Sequence, residues 1–150
     1  MPRILGLDPG TKRVGVALSD PTFMLATPHT VLAAEPRSKL AEALRTLCRE
    51  KEVDRIVVGL PLRMDGDEGP AAEKSRAFAA WVGAELGLPV EFWDERLSTV
   101  TAQNALIEGG ARREKRREVV DMIAAQIVLQ HYLDSRLPPE PYMPDDEDPR

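Results

Sequence analysis

Arg3-Ile4-Leu5-Gly6-Leu7-Asp8, the turn Pro9-Gly10-Thr11-Lys12-Arg13 and the run Val14-Gly15-Val16-Ala17-Leu18-Ser19 read together as an antiparallel hairpin. Proline fixes φ and glycine permits positive φ, so residues 9–13 carry turn chemistry between two apolar runs. The first run ends on an acid, Asp8. Strand side chains alternate, so Leu5 and Leu7 share one face while Ile4, Gly6 and Asp8 share the other. Residues 28–34 suit a third strand. Leu40, Ala43, Leu44, Leu47 and Cys48 then recur at helical spacing and predict a helix from about Pro36 to Lys51. The β-branched run Asp54–Leu60 predicts a buried strand, and the breakers Gly66, Gly69 and Pro70 make 61–70 a loop. A second helix stops at Gly87, and Leu88–Trp93 is a last strand ending on Asp94-Glu95. Ser98 caps a third helix to Glu108, a basic segment follows, and a final helix runs from about Glu118 to Arg136. The order β-β-β-α-β-α-β-α-α predicts an α/β fold. Its mixed five-stranded sheet has hairpin-led antiparallel strands 1–3, then parallel strands, with helices on both faces.

The chain has 150 residues, which suits one domain over 1–137. Residues 138–150 form an acidic, proline-rich tail for which we expect disorder. Its five acids against Arg150 leave a net −1 for residues 1–137 out of the chain's −5, so the acidic total conceals a near-neutral body. Within that body Arg112, Arg113, Lys115, Arg116 and Arg117 cluster, interrupted only by Glu114. The single cysteine, Cys48, excludes an internal disulfide and reads as a small buried hydrophobe. No apolar run approaches the ~18 residues of a membrane span, and Met1-Pro2-Arg3 leads into a strand, not a signal peptide. We therefore expect a cytoplasmic protein without a membrane partner.

Asp8, Glu95 and Asp121 stand out. Asp121 heads a stripe, Ala124, Ala125, Val128 and Tyr132, of small and apolar groups on the last helix. A carboxylate buried there needs a partner or a cation. The plainer alternatives are that Asp8 starts a turn, that Glu95 bridges Arg96, and that Asp121 is a first-turn dipole acid paired with a nearby arginine. As a set, two strand-end acids and one helix acid would repel one another without a cation. Mg²⁺ or Mn²⁺, hard ions suited to oxygen ligands, resolve that conflict. Two such ions about 3.5–4 Å apart serve phosphodiester cleavage without a nucleophilic side chain. His29 and His131, far apart in sequence, make no zinc site.

Leu7–Asp20, with Asp8-Pro9-Gly10-Thr11-Lys12-Arg13-Val14-Gly15 at its heart, resembles the opening motif of the YqgF/RuvX family. Val57–Gly66 resembles its central loop motif, Asp94–Thr99 its third, and Val120–Ala125 with Leu129–Asp134 its last. The four occur in order over residues 3–134. The resemblance implies an RNase H-like fold similar to RuvC-type resolvases, with the acidic triad on Asp8, Glu95 and Asp121. It also implies a nuclease that matures the 5′ end of pre-16S ribosomal RNA, some members being described instead as Holliday-junction resolvases.

The expected partner is nucleic acid, structured RNA or branched DNA, gripped through its phosphates by Lys12, Arg13, Arg112, Arg113, Lys115, Arg116 and Arg117. The alternative for the run at 112–117 is a solvated helix start paired to Glu114 and Glu118. Aromatic residues are only 5% of the chain, so shape and backbone should be read more than stacked bases. Trp81 and Trp93 read as core. A resolvase would need a symmetric dimer, whereas an RNA-trimming enzyme can be a monomer. Two other classes compete. An actin-like ATP-binding domain also uses an Asp-x-Gly-Thr hairpin but needs two domains, and a catalytically silent RNA-binding module needs none of the acids.

Overall fold

The computed structural model describes residues 2–60, 69–94 and 113–136, the side chains of 113–117 excepted. The chain forms strands β1 (Arg3–Pro9), β2 (Arg13–Ser19) and β3 (Ala26–Ala33), helix α1 (Arg37–Glu50), strand β4 (Val53–Leu60), helix α2 (Pro70–Leu86), strand β5 (Val90–Asp94) and helix α3 (Arg113–Arg136). The sheet has five strands in the order β3-β2-β1-β4-β5. β1 pairs antiparallel with β2, and β2 with β3. β4 and β5 join in parallel, so β1, β4 and β5 end at one edge of the sheet. Predicted strands and the first two helices fall where the hydrophobic periods put them. The predicted helix at 98–108, the loop at 61–68 and the tail lie outside the described residues, as do Glu95 and Arg112.

The alternation in β1 builds two cores. Leu5 and Leu7 join Leu40, Leu44, Phe78 and Val82 of α1 and α2 on one face. Ile4 joins Ala125, Val128, Leu129 and Leu133 of α3 on the other. Cys48 is buried in the first core, where burial pushes its thiol up to about 11, so it behaves as a small hydrophobe. Trp81 packs against the first core and Trp93 against the second. α2 starts on Pro70 and ends on Gly87, whose left-handed φ of 66° lets its N–H reach the Gly83 carbonyl. None of the described helices is long and apolar enough to cross a membrane.

One prediction needs correction. The final helix begins at Arg113, not near Glu118, so Arg113, Lys115, Arg116 and Arg117 belong to helix α3 and not to a linker before it. Lysine and arginine are strong helix formers, and an apolar stripe marks only the part of a helix that packs on the sheet. Asp121 is therefore two turns inside α3 and not a first-turn dipole acid.

Candidate active site

α3 is pinned to the sheet at both borders, which fixes what lies beneath each of its turns. At the β3 border the Gln126 side-chain amide donates to the Ala26 carbonyl at 3.1 Å. Gln130 accepts the Ala26 N–H at 2.8 Å and donates to the Met24 carbonyl at 2.9 Å. At the other border the Tyr132 hydroxyl donates to Glu91 of β5 and accepts from Arg55 of β4 at 3.2 Å and from Arg136 at 2.9 Å. The edge of the Trp93 ring meets Tyr132 with centroids 6.0 Å apart.

Between these fastenings the backbones touch through glycine. A Cβ on Gly6 would lie 2.9 Å from Leu129 Cβ and 3.3 Å from the Ala125 carbonyl oxygen. A Cβ on Gly15 would lie 2.0 Å from the carbonyl oxygen of Asp121 itself. Four helical residues rise about 6 Å and two strand residues about 6.6 Å, so the helix positions 129, 125 and 121 keep pace with the strand. Asp8 lies directly across from Gly15 in the β1–β2 register, and opposed residues of an antiparallel pair share a face. The half-buried Asp8 thus sits on the α3 side, beside the point where the Asp121 backbone closes on Gly15. Two of the three predicted acids are brought to one place by elements 113 positions apart in the chain; the third, Glu95, follows the last described residue of β5.

Arg13 also belongs here. It shares the α3 face of β2 with Gly15 and Ala17, and its Nε donates to Asp121 Oδ2 at 3.0 Å. Sequence reading assigned Arg13 to phosphates; in this structure its guanidinium is the counter-charge of Asp121. Burial still dominates Asp121, raising its carboxyl above the ordinary carboxylate value, with Arg13 pulling it down and Glu118 pushing it up. Lys12 is exposed at the turn, and its carbonyl receives the Ala34 N–H at 2.9 Å. His29 and His131 are exposed and apart from this region.

A divalent cation fits this donor set. Asp121 is a carboxylate short of water that already draws a positive group to it, and Asp8 carries further hard oxygens on the same face of the sheet. Among the described residues no three candidate ligands gather, and Glu95 lies outside those residues. Sequence reading missed two features: Arg13 as partner of Asp121, and Gly15 as the point of closest approach. A glycine inside an apolar strand is the available signal for the second.

A family model described as "RuvX: Holliday junction resolvase" matches residues 2–135. A Myxococcus xanthus protein named "Putative pre-16S rRNA nuclease" is 49% identical over 147 residues, covering 97% of each chain. Among solved structures, Thermus thermophilus RuvC in complex with a Holliday junction substrate is similar with a TM-score of 0.56 at 14% identity, over 91% of this chain and 96% of that one. The fowlpox virus resolvase, solved with Holliday junction DNA, gives 0.57 at 11% identity, over 91% and 99%. With the five-stranded mixed sheet, these neighbours establish an RNase H-like fold. The chain belongs to the RuvX (YqgF) family.

Proposed function

We propose that this chain is a divalent-metal-dependent endonuclease acting in the cytoplasm on the 5′ end of pre-16S rRNA, with Asp8, Glu95 and Asp121 as its metal-holding catalytic acids. The observation that carries the reading is the contact of the Asp121 backbone with Gly15, the residue paired opposite Asp8 in the sheet. Glu95 is supported by its place in the sequence, directly after β5, whose Glu91 and Trp93 meet Tyr132 on the α3 face, and by the third family motif, Asp94–Thr99. One or two Mg²⁺ or Mn²⁺ ions bound by these acids supply Lewis acidity for phosphodiester hydrolysis. The protein's own share is to hold the carboxylates still: Arg13 orients Asp121 Oδ2, and the Gln126, Gln130 and Tyr132 bonds keep α3 in register. Lys12, Arg112, Arg113, Lys115, Arg116 and Arg117 contact the phosphates of the substrate.

The rRNA reading takes precedence because a 49% identical relative carries that name, whereas the junction-bound neighbours are 11–14% identical and speak for fold. The family description favours a second reading, a Holliday-junction resolvase working as a homodimer. Assaying the purified protein with Mn²⁺ on a pre-16S rRNA fragment and on a four-way junction, with its oligomeric state, separates the two. Site-specific trimming of RNA by a monomer supports the first; paired incisions of the junction by a dimer, with RNA untouched, overturn it.

A further inference from the structure

The carboxyl end of β1 borders a second concavity, on the face opposite α3. A cleft of about 520 Å³ opens between the Pro9-Gly10-Thr11 turn, the start of α1 and the first turns of α2. Its charged lining is Arg37 and Lys74 against Glu35. Glu35 stands 3.9 Å from Arg37 Nε and is 70% exposed, too loose a pair to neutralise the site. The Arg37 guanidinium is held over the Phe78 and Trp81 rings at 5.2 and 4.8 Å, which keeps the cation in position. Lys74 makes no ion pair among the described residues.

Ser75 points to a ligand independently of these charges. It is 3% exposed and lines the cleft, and its hydroxyl has no hydrogen-bond partner among the described residues. Buried hydroxyls are normally satisfied, and one left open at a cavity wall has a place for an incoming acceptor. The start of α2 lies beside it: Ala71 lines the cleft, and Gly69 provides no side-chain cap to the first amides of the helix. Lysine, arginine, serine and threonine hydroxyls and helix N-termini are the groups proteins use on nucleic-acid phosphates.

We propose that this cleft binds a phosphate group, and that the group is a backbone phosphate of the strand being cut, next to the scissile bond. The assignment to a strand rests on the nuclease reading and on adjacency: Pro9 lines the cleft and Asp8, one residue earlier, faces α3. A chain crossing the sheet edge at β1 passes from one to the other.

The test follows backbone amide shifts of Gly10, Thr11, Ala71 and Ser75 in the full chain, in EDTA, with a short RNA duplex in one arm and inorganic phosphate in the other. The expected result is a shift of these amides by RNA. The double substitution Lys74→Gln with Ser75→Ala should weaken RNA binding about tenfold and lower its salt slope by about 1. Ser75→Ala alone removes an unmet hydroxyl and should fold as well as the parent, so loss of binding is not loss of fold. Amides that ignore RNA, or that move only with inorganic phosphate, overturn the proposal. RNA seated in the cleft of a protein that cuts nothing with Mn²⁺ would sink the nuclease reading and leave the phosphate site standing. Cleavage with unmoved cleft amides would do the reverse.

Discussion

Replacing Gly15 with alanine probes how closely β2 and α3 must approach for the two acids to meet. The new methyl would sit 2.0 Å from the Asp121 carbonyl oxygen and 2.5 Å from its carbonyl carbon, backbone atoms that no rotamer change can move aside. Restoring an ordinary contact of 3.4 Å requires α3 to lift or β2 to bend by about 1.4 Å there. Overpacked cores lose about 1–3 kcal/mol, and rigid backbone on both sides puts this substitution at about 3 kcal/mol. A domain of this size should still fold, with Tm lower by roughly 6–12 °C. Asp121 rides on the lifted segment and Asp8 on the strand below, and a shift of about 1 Å can cost ~100-fold in rate. Gly6→Ala should be milder, because its overlap is smaller: Leu129 Cβ lies at 2.9 Å and the Ala125 carbonyl oxygen at 3.3 Å. Gly83→Ala should be neutral or stabilising, because its tight neighbour at 3.1 Å is a Val90 methyl, the Leu88 carbonyl oxygen is at an ordinary 3.6 Å, and alanine gains about 1 kcal/mol of helix propensity. Thermal unfolding and single-turnover cleavage with Mn²⁺ on the three variants provide the readout. A Gly15→Ala protein as stable and active as Gly83→Ala refutes the reasoning.

Arg13→Gln leaves Asp121 without its 3.0 Å partner and should destabilise the metal-free protein by about 1–2 kcal/mol, with Mn²⁺ recovering part of the loss; equal unfolding midpoints for both proteins would contradict this. Burial holds the Asp121 carboxyl above its ordinary value, so between that value and the raised one the native state keeps a proton the unfolded chain has released. Stability of the metal-free protein should therefore fall as pH rises through that window, and Asp121→Asn should remove this part of the slope; denaturant titrations across the weakly acidic range would show superimposable profiles if the idea is wrong. Alanine at both Arg113 and Arg116 should weaken nucleic-acid binding and lower the slope of log affinity against log salt by about 2, and an unchanged slope would remove them from the interface.

The parts legible in the sequence were those with a local period. Ile4, Gly6 and Asp8 alternate against Leu5 and Leu7, and the structure buries the two sets in different cores. Ala124, Ala125, Val128 and Tyr132 are all buried, as the helical stripe behind Asp121 required. The helix start at Arg113 was not legible, because its first turn and more precede the stripe that contacts the sheet. Nor was the Arg13–Asp121 pair, whose partners are 108 positions apart. On paper either of two cationic runs could satisfy a buried acid; strand parity puts Arg13 on the α3 face with Gly15, where its Nε meets Asp121. The cleft beside α2 is assembled from three segments, each of which reads alone as a turn or a helix start.

Calorimetric titration of Mn²⁺ into the wild-type chain and into Asp8→Asn, Glu95→Gln and Asp121→Asn asks whether acids remote in sequence share a cation. Wild type should bind, and each substitution should weaken binding at least about tenfold while the far-ultraviolet spectrum stays unchanged. Three variants that bind Mn²⁺ as the parent does would show that these carboxylates do not form the metal centre.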